Sequence, residues 1–337
     1  MGSMEGKEQM NNFWRNKKVI VTGANGFLGS HLTIALLKKD ARVTGIIKIS
    51  PKNTYLNTAL KELSNPKLKI VKSDIVNLNA VRKILKAFRP DICLHVAAQP
   101  IVGLANKSPL PTFEANIKGT WNILETAKEL KIKALVVAST DKAYGEHKEL
   151  PYTEKAALLA LHPYDSSKAC ADILTRCYAH TYGLNTAITR CANIFGPGDL
   201  NFSRIIPDTI RSAILGSNPI IRSDGTPLRD YVYIDDIVNG YLLLAEYLYK
   251  GKVKAGEAFN FGSGKPIAVL DLVKKILLIE GRDDLNPVIL SKRKIKGEID
   301  RQYLSSRKAG KMLNWRARYS LESGLKQTIA WYANNLK

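Results

Sequence analysis

Tyr164 and Lys168 lie four residues apart, downstream of an apolar run that ends with Ser-Thr-Asp-Lys at 139–142. On a helix, positions i and i+4 share one face, so this spacing puts the Lys168 ammonium beside the Tyr164 hydroxyl. Free tyrosine has a pKa near about 10, and a neighbouring cation favours its ionised form. The pair is therefore a candidate base for an alcohol group. Because the same spacing also occurs on solvated helix faces, its meaning depends on the elements that hold it.

An apolar strand and a glycine-spaced turn stand near the start of the chain. Val19 to Val21 run into Gly23, Gly26 and Gly29, and the helical pattern of 32–37 follows. Glycines let the backbone turn tightly and approach a pyrophosphate, and a helix N-terminus offers free N–H groups to it. The glycine spacing differs from the usual Gly-x-Gly-x-x-Gly. The strand-turn-helix context nevertheless predicts a dinucleotide site.

Apolar runs alternate with amphipathic segments over the first half of the chain. This alternation predicts an α/β fold of the Rossmann type, a doubly wound parallel sheet whose ligands bind beyond the carboxyl ends of the strands. The predicted strands after the first lie at 42–47, 68–71, 92–97, 134–139 and 187–190, and the helices between them include 78–88, 112–130 and 164–182.

Past residue 192 the alternation weakens and Gly, Pro and polar residues become frequent. We therefore expect three parts. Residues 1–16 are a tag and a disordered N-terminus, and 17–192, with returns near 231–261, form the NAD(P)-binding domain. Residues 193–230 and 262–337 form a smaller C-terminal substrate-binding lobe, with a helix near 269–280.

The chain of 337 residues has a formal charge of +21, with 51 Lys and Arg against 30 Asp and Glu. The basic residues are densest at 292–318 but lack the aromatic interleaving of single-strand nucleic-acid binders, so nucleic-acid binding is not expected. No apolar stretch reaches the roughly 20 residues of a membrane span. The start lacks the apolar core of a secretion signal, and the four cysteines show no Cys-x-x-Cys spacing. These features predict a cytoplasmic protein.

With these motifs the chain resembles the extended short-chain dehydrogenase/reductase family, and within it the NAD(P)-dependent nucleotide-sugar epimerases and dehydratases. The resemblance covers about residues 17–331. It rests on ordered matches: Thr22–Gly29, Asp74-Ile75, His95–Gln99, Asn116, Ser139–Gly145, Pro163–Lys168, Arg190 with Asn193, and Arg229–Asp236.

The resemblance implies an opening step in which Tyr164 takes the proton of the sugar 4-hydroxyl while Thr140 hydrogen-bonds the same oxygen. Dehydratases then eliminate water across C5 and C6, which requires one further acid and one further base. The Asp-Lys pair after Thr140 is similar to that of CDP-glucose 4,6-dehydratases, so Asp141 is the expected acid and Lys142 the expected base. A plain surface ion pair is the alternative, and Tyr144 with Gly145 follows an epimerase-like pattern.

The expected activity is a 4,6-dehydratase that acts on a CDP-glucose-like nucleoside-diphosphate hexose. Its product is a 4-keto-6-deoxy sugar, formed by transient C4 oxidation, water elimination and hydride return to C6. A UDP-N-acetylglucosamine dehydratase and a 4-epimerase of the UDP-glucose or UDP-N-acetylglucosamine type stay open. A nucleotide- or RNA-binding protein is a further alternative, against which intact Tyr164, Lys168 and Asp141 argue. The resemblance also implies a homodimer, formed through the helices that follow the fourth and fifth strands.

The cofactor implied by the resemblance is NADP or NAD, tightly bound and regenerated in each turnover. The second strand ends in Lys-Ile-Ser at 48–50 without the usual carboxylate for the adenosine ribose, a pattern that leans toward NADP. The implied cofactor-binding positions are Gly23, Asn25, Gly26, Phe27, Leu28, Gly29, Lys48, Ser50, Asp74, Ile75, Ala97, Ala98, Gln99, Asn116, Tyr164 and Lys168. The implied substrate-binding positions are Gln99, Asn193, Arg204 and Arg229, the two arginines being candidates for the pyrophosphate.

Overall fold

A computed structural model describes residues 13–51, 54–64, 66–291 and 299–336. The first twelve residues of the predicted tag and N-terminus at 1–16, and residues 292–298 of the basic stretch, lie outside the described residues. The strands are β1 (Lys18–Thr22), β2 (Arg42–Ile47), β3 (Leu68–Lys72), β4 (Ile92–His95), β5 (Ala134–Ala138), β6 (Thr186–Cys191), β7 (Asn193–Phe195), β8 (Ile220–Ile221), β9 (Leu228–Arg229), β10 (Tyr231–Tyr233), β11 (Glu257–Phe261), β12 (Ile267–Ala268), β13 (Val288–Ile289) and β14 (Arg301–Gln302).

The helices flank these strands, and a wide, π-helical turn joins two of them. The α-helices are α1 (Phe27–Leu37), α2 (Tyr55–Leu60), α3 (Leu78–Phe88), α4 (Val102–Lys107), α5 (Pro109–Phe113), α6 (Gly119–Glu129), α7 (Pro163–Tyr182), α8 (Ile205–Ile214), α9 (Ile234–Tyr249), α10 (Val269–Ile279), α11 (Arg307–Leu313) and α12 (Leu321–Asn335). A π-helical turn, Glu114–Lys118, joins α5 to α6, and a 3₁₀ turn, Asp141–Tyr144, follows β5.

The main sheet has seven strands in the order β11-β6-β5-β4-β1-β2-β3. Strands β1 to β6 pair in parallel. The order reverses between β1 and β4, which is where a doubly wound sheet opens a crevice beyond its carboxyl ends. The predicted α/β fold of the Rossmann type is confirmed.

The central strands are buried on both faces, which explains why they read as continuous apolar runs in the sequence. Ile20 of β1, Cys93 of β4 and Leu135 of β5 are fully buried. They belong to one core cluster with Val81 and Leu85 of α3. Burial of this kind contributes about 25 cal/mol for each Å² of apolar surface removed from water, so the core holds β1, β4 and β5 in fixed register.

The predicted helix at 112–130 is not a continuous α-helix. The π turn at Glu114–Lys118 interrupts it and brings Asn116 into the interior, where its side chain is fully buried. Such turns insert one extra residue and are frequent at functional sites. Apolar periodicity does not reveal a single inserted residue, which is why the sequence predicted one regular helix.

The chain separates into two compact units. The first comprises the described parts of 13–143 with 160–190 and 238–259, and the second comprises 144–159, 191–237 and the described parts of 260–336. The second unit has its own small core, in which Ala213 and Ile221 pack with Val273 and Leu277. In the described ranges, no helix combines the length and the apolar character needed to cross a membrane.

Candidate active site

The turn between β1 and α1 leaves no room for side chains at two of its glycines. Gly23 has a φ of 68°, and a Cβ there would lie 2.9 Å from the Cα of Ala97. At Gly29 a Cβ would lie 2.0 Å from the carbonyl oxygen of Gly23, closer than any non-bonded contact allows. Gly26 caps α1 without a side-chain hydrogen bond. The result is a bare backbone cradle at a helix N-terminus, which suits a pyrophosphate.

The predicted adenosine side of the site lies at the ends of β2 and β3. Lys48 Nζ forms an ion pair of 2.8 Å with Asp74 Oδ2. Although burial opposes the shift, hydrogen bonds from Lys48 and from the Val76 N–H lower the pKa of Asp74. Asn25 Nδ2 donates to the carbonyl of Ile49, 2.7 Å away, and so ties the glycine turn to the end of β2. Two predicted cofactor residues, Lys48 and Asp74, are thus direct partners of each other.

Asn116 connects the segment after β4 to the helix that carries the predicted base. Its Oδ1 accepts from the Gln99 N–H at 2.8 Å, and its Nδ2 donates to Ser167 Oγ at 2.9 Å. The Ser167 hydroxyl donates in turn to the carbonyl of Tyr164 at 2.6 Å. These bonds are buried or partly buried, so they hold the N-terminal turn of α7 in a defined position.

Both ends of the Gln99 side-chain amide form hydrogen bonds within the protein, one in its own loop and one to helix α5. Oε1 accepts from the Ile101 N–H at 2.6 Å, and Nε2 donates to Thr112 Oγ1 at 2.7 Å. Ala97 and Ala98 precede it, half-buried, directly after β4. Gln99 therefore shapes the loop beyond β4, and its predicted contacts with cofactor and substrate stay a prediction.

His95, at the end of β4, continues this network into the sheet. The Thr22 hydroxyl accepts two backbone N–H groups and therefore donates its proton to His95 Nδ1, at 2.7 Å. Nε2 is then the protonated nitrogen and donates to Thr120 Oγ1 at 3.1 Å, while the Thr120 hydroxyl donates to the Asn116 carbonyl at 2.6 Å. Burial, together with the Lys168 ammonium, lowers the pKa of His95 to about 3. A neutral imidazole thus links β1 to the π turn.

The helix α7 presents Tyr164 and Lys168 on one face, as their spacing predicts. Pro163 begins the helix, which suits its fixed φ and missing N–H. Lys168 Nζ donates to the carbonyl of Ala138, the last residue of β5, at 2.8 Å, and Ser139 Oγ donates to the Lys168 carbonyl at 3.4 Å. The buried ammonium therefore lies against the carboxyl end of β5, where the residues at 139–142 begin.

Thr140, Asp141 and Lys142 form one hydrogen-bonded group at that strand end. The Thr140 hydroxyl donates to Asp141 Oδ1 at 3.0 Å, and Lys142 Nζ approaches the same oxygen at 3.4 Å. Asp141 is fully buried, whereas the Lys142 side chain keeps 27% of its exposure. A buried carboxylate next to a partly exposed ammonium is not an ordinary surface ion pair. The group can hold, donate or accept a proton at the carboxyl end of β5.

The predicted substrate-binding residues all lie in the second unit, apart from Gln99. Arg204 Nη1 forms an ion pair of 2.8 Å with Asp199 Oδ2 and keeps 37% of its side chain exposed. Arg229 donates to the backbone carbonyl of the preceding residue at 3.1 Å, and Asn193 Nδ2 donates to the Asp230 carbonyl at 3.1 Å. The two arginines are therefore braced by the fold.

Three polar residues of the first unit belong to the matched motifs but were not predicted to be site residues. They are His95, Ser167 and Asp165, the last of which is only 7% exposed. Two of them stand inside the Tyr-x-x-x-Lys segment, and that position was the available signal. The hydrogen bonds of His95 with Thr22 and Thr120 span 73 and 25 positions, so no local pattern could indicate them.

Comparison with known proteins decides the family. The model of the NAD dependent epimerase/dehydratase family matches residues 19–262. The chain belongs to this family. The predicted family is thereby confirmed, and so are its enzymatic nature and its cofactor class, NAD(P). The cradle of Gly23 and Gly29 fits such a dinucleotide, because only bare backbone can approach its pyrophosphate so closely.

Members of the family with different activities resemble the chain equally well. The CDP-glucose 4,6-dehydratase of Salmonella typhimurium is 30% identical, over 95% of this chain and 92% of that protein. The UDP-glucuronate 4-epimerase of Thermodesulfobacterium geofontis is also 30% identical, over 94% of this chain and 97% of that protein. The dTDP-glucose 4,6-dehydratase of Streptomyces venezuelae, crystallised with NAD bound, superposes with a TM-score of 0.84 at 29% identity, covering 94% of this chain and 97% of that one.

Proposed function

We propose that the protein is an NAD(P)-dependent 4,6-dehydratase of a nucleoside-diphosphate hexose, with a CDP-glucose-like compound as its substrate. The observation that carries the proposal is the group formed by Thr140, Asp141 and Lys142 at the end of β5, with the Asp141 carboxylate fully buried. An epimerase needs no acid and base beyond those that act at C4. A dehydratase needs one of each, and this group contains both.

The proposed roles divide the reaction between two sets of side chains. Tyr164 removes the proton of the 4-hydroxyl, the Thr140 hydroxyl bonds the same oxygen, and Lys168 stabilises the tyrosinate. The neutral amine of Lys142 then removes the C5 proton, which the new 4-ketone makes acidic. The C6–O bond breaks, and the protonated form of Asp141 gives its proton to the departing oxygen, so that water leaves. When bound, the nicotinamide supplies the hydride acceptor and donor.

Two features support binding of the other parts of the ligands. Arg204 and Arg229 are braced guanidinium groups, which can bind two phosphate oxygens each, so we propose that the second unit is the substrate-binding lobe. Lys48 at the end of β2 is 70% exposed and can bind a ribose phosphate, which favours NADP over NAD. Ser50 next to it is also exposed.

We also propose a homodimer that buries the outer faces of α6 and α7. Trp121 of α6 and Ile173 of α7 keep 43% and 51% of their surface exposed. Large apolar side chains exposed on neighbouring helices indicate a contact surface. Light scattering at several protein concentrations measures the mass, and a persistent monomer of 37.4 kDa would contradict the dimer.

A cytoplasmic location and the absence of nucleic-acid binding stay predictions.

The decisive experiment is mass spectrometry of the products after incubation with CDP-, UDP-, GDP- and dTDP-hexoses and either NAD or NADP. Loss of one water from one sugar nucleotide supports the dehydratase and identifies the nucleotide base of its substrate. Tyr164→Phe is the matched control, since it removes only the hydroxyl and should abolish turnover while binding persists. Failure of every sugar to react would contradict the proposal.

A 4-epimerase is the second candidate. It is favoured by the UDP-glucuronate 4-epimerase that is 30% identical over nearly the full length of both chains. This activity predicts a product of unchanged mass and inverted configuration at C4, which chromatography against authentic isomers detects. In that case Asp141 and Lys142 would have no role in elimination, and their replacement would leave turnover nearly unchanged.

A further inference from the structure

The connections that lead into the strands of the main sheet meet at one edge of it. Strands β1 to β6 run in parallel, so the connections before them all lie at this edge, which we call the amino edge. The Gly256 N–H donates to the carbonyl of Thr186, the first residue of β6, at 2.7 Å, so the connection before β11 lies there too. The candidate active site lies at the opposite, carboxyl edge. The amino edge comprises 13–17, 38–41, 61–64 with 66–67, 89–91, 130–133, 183–185 and 250–256.

Positive charge is concentrated at the amino edge. Its 32 residues include twelve Lys and Arg against three Asp and Glu, a net charge of +9 out of the total of +21. A general excess of lysine, spread in proportion to length, would give these residues a charge of about +2. The concentration therefore needs a local explanation.

Helix ends explain only half of these twelve cations. The dipole of a helix attracts cations to its C-terminus, but the attraction falls off within the last turn. Six of the cations stand farther from a helix end, close to the strand that follows or in the segment before β1. They are Arg15, Lys17, Lys67, Lys133, Lys252 and Lys254.

Two ammonium groups of the amino edge converge on one hydroxyl. Lys17 Nζ and Lys133 Nζ each lie 3.2 Å from Tyr249 Oη. Asp91 offsets one of these charges, at 3.7 Å from Lys133, while the Lys17 ammonium lies 4.6 Å from the centre of the Tyr249 ring. Like charges held this close repel each other, and an anionic partner relieves the repulsion. The fold thus holds at the amino edge a positive charge that a polyanionic surface would stabilise.

The side chains of the amino edge favour a lipid surface over nucleic acid. Ten of its twelve cations are Lys, whose hydrated ammonium attracts a negative surface without the planar fork by which Arg binds single phosphates. The aromatic side chains pack against each other and are not presented for base stacking: Trp14 is 2% exposed, and Phe13 packs edge-on against Trp14 and Tyr249.

The extent of the amino edge also suits a membrane. Seven strands at a spacing of about 4.8 Å give it a length of about 30 Å, enough to span several lipid headgroups. Among its described residues, none is an exposed large apolar side chain, so contact with lipid would be electrostatic and without insertion.

We propose that the amino edge is a docking surface for a membrane that contains anionic lipids. Attachment by this edge leaves the carboxyl edge of the sheet, with the candidate active site, on the side away from the lipid. Such peripheral attachment is compatible with a cytoplasmic protein. The inference goes beyond the proposed dehydratase function and does not depend on it, because none of the proposed catalytic residues belongs to the amino edge.

The test is cosedimentation of the full chain with two kinds of vesicle, phosphatidylcholine alone and phosphatidylcholine with about 30% phosphatidylglycerol. The wild type should bind the anionic vesicles and leave the neutral ones unbound. Binding should weaken at least about tenfold between about 0.1 M and 0.5 M salt, because screening shortens the reach of surface charges. A wild type that does not sediment with anionic vesicles at the lower salt would overturn the inference.

A triple variant, Lys38→Gln with Lys131→Gln and Lys254→Gln, removes exposed charges from three connections of the amino edge. It should bind anionic vesicles about a hundredfold more weakly, since each surface lysine contributes about a fivefold gain in affinity. The matched control removes the same charge from exposed positions elsewhere, through Lys83→Gln, Lys274→Gln and Lys311→Gln. It should bind as the wild type does.

Two further results would contradict the docking surface. An equal loss of affinity in the two triple variants would mean that only the total charge matters. Tighter binding of duplex DNA than of anionic vesicles at the same salt would make nucleic acid the partner. Both triple variants should unfold at the wild-type temperature and keep the wild-type turnover. Vesicle binding without turnover of any sugar nucleotide would contradict the proposed function and leave this inference standing.

Discussion

Asn116 donates a hydrogen bond of 2.9 Å to the hydroxyl of Ser167, although 51 positions separate the two residues. Ser167 passes the connection on to the carbonyl of Tyr164. The π turn that contains Asn116 therefore fixes the end of α7 that carries the proposed base. Positioning of this kind matters because a displacement of about 1 Å can reduce a rate a hundredfold.

Asn116→Ala should lower both stability and turnover. The variant loses the bonds to Gln99 and Ser167, which should cost about 1–3 kcal/mol of unfolding free energy. Displacement of Tyr164 should reduce kcat about ten- to a hundredfold with little change in KM. Thr126→Val is the control, because its hydroxyl donates to the carbonyl of Asn122 in its own helix. Equal kcat in the two variants would contradict the positioning role.

Gly29→Ala should prevent cofactor binding. Its Cβ would meet the Gly23 carbonyl oxygen at 2.0 Å, and the atoms that it meets are all backbone, which cannot rotate away as a side chain can. Overpacking of this kind costs about 1–3 kcal/mol or more and distorts the cradle. Calorimetric titration with NAD and NADP measures the loss. Gly103→Ala is the matched control, since nothing lies within 4 Å of its Cβ, and it should bind both cofactors normally.

Lys48→Ala should change the cofactor preference. If Lys48 binds the additional phosphate of NADP, its loss should weaken NADP binding about tenfold, while the affinity for NAD should hardly change. Fluorescence titration of both dinucleotides gives the ratio. Lys69→Ala, an exposed lysine of β3, should leave that ratio unaltered. A proportional loss of affinity for both cofactors would mean that Lys48 acts through Asp74, its partner at 2.8 Å.

Asp141→Asn and Lys142→Met should separate the acid from the base of the elimination. Each should reduce water loss by at least about a hundredfold without weakening substrate binding. Lys142→Met should also abolish exchange of the C5 hydrogen with deuterated water, whereas Asp141→Asn should preserve that exchange. Product mass spectra and nuclear magnetic resonance measure the two effects. Lys148→Met, which replaces an exposed lysine later in the chain, should behave as the wild type. Normal water loss in either active-site variant would refute the assignment.

His95 should make the stability of the first unit sensitive to acid. Its folded pKa of about 3 lies below the ordinary 6.5, so the unfolded chain binds the proton more strongly. The stabilisation is complete above pH 6.5 and is lost as the pH falls toward 3, with a slope of up to about 1.4 kcal/mol per pH unit. The pKa of Asp165 is raised to about 6, so its contribution has the opposite sign. The free energy of unfolding that it contributes falls as the pH rises from 3.8 to 6.

The His95 contribution is therefore measured as a difference between variants. Urea unfolding of the wild type and of His95→Gln from pH 4 to 8 should give curves that diverge toward high pH. His180→Gln, at an exposed position on α7, should run parallel to the wild type. If the His95→Gln curve were also parallel, the titration of His95 would contribute nothing to the pH dependence of stability.

The sequence by itself determined the features that are local in the chain. The strand at 42–47 and the helix at 78–88 were predicted with the bounds that the structure has, and the Rossmann-type sheet followed from their alternation. Residues two to four positions apart share a strand or helix face in every conformation of that element, so periodicity alone identifies them. The same reason made the glycine turn and the Tyr164 and Lys168 pair recognisable.

The tertiary structure alone decided which distant side chains meet. The Lys48 and Asp74 pair, the Asn116 bond to Ser167 and the burial of Asp165 all depend on how separate strands and helices pack. Burial also turned Asp165 from an ordinary first-turn carboxylate into one with a pKa near 6. Desolvation depends on the atoms that surround a group in space, and the one-dimensional pattern does not contain their positions.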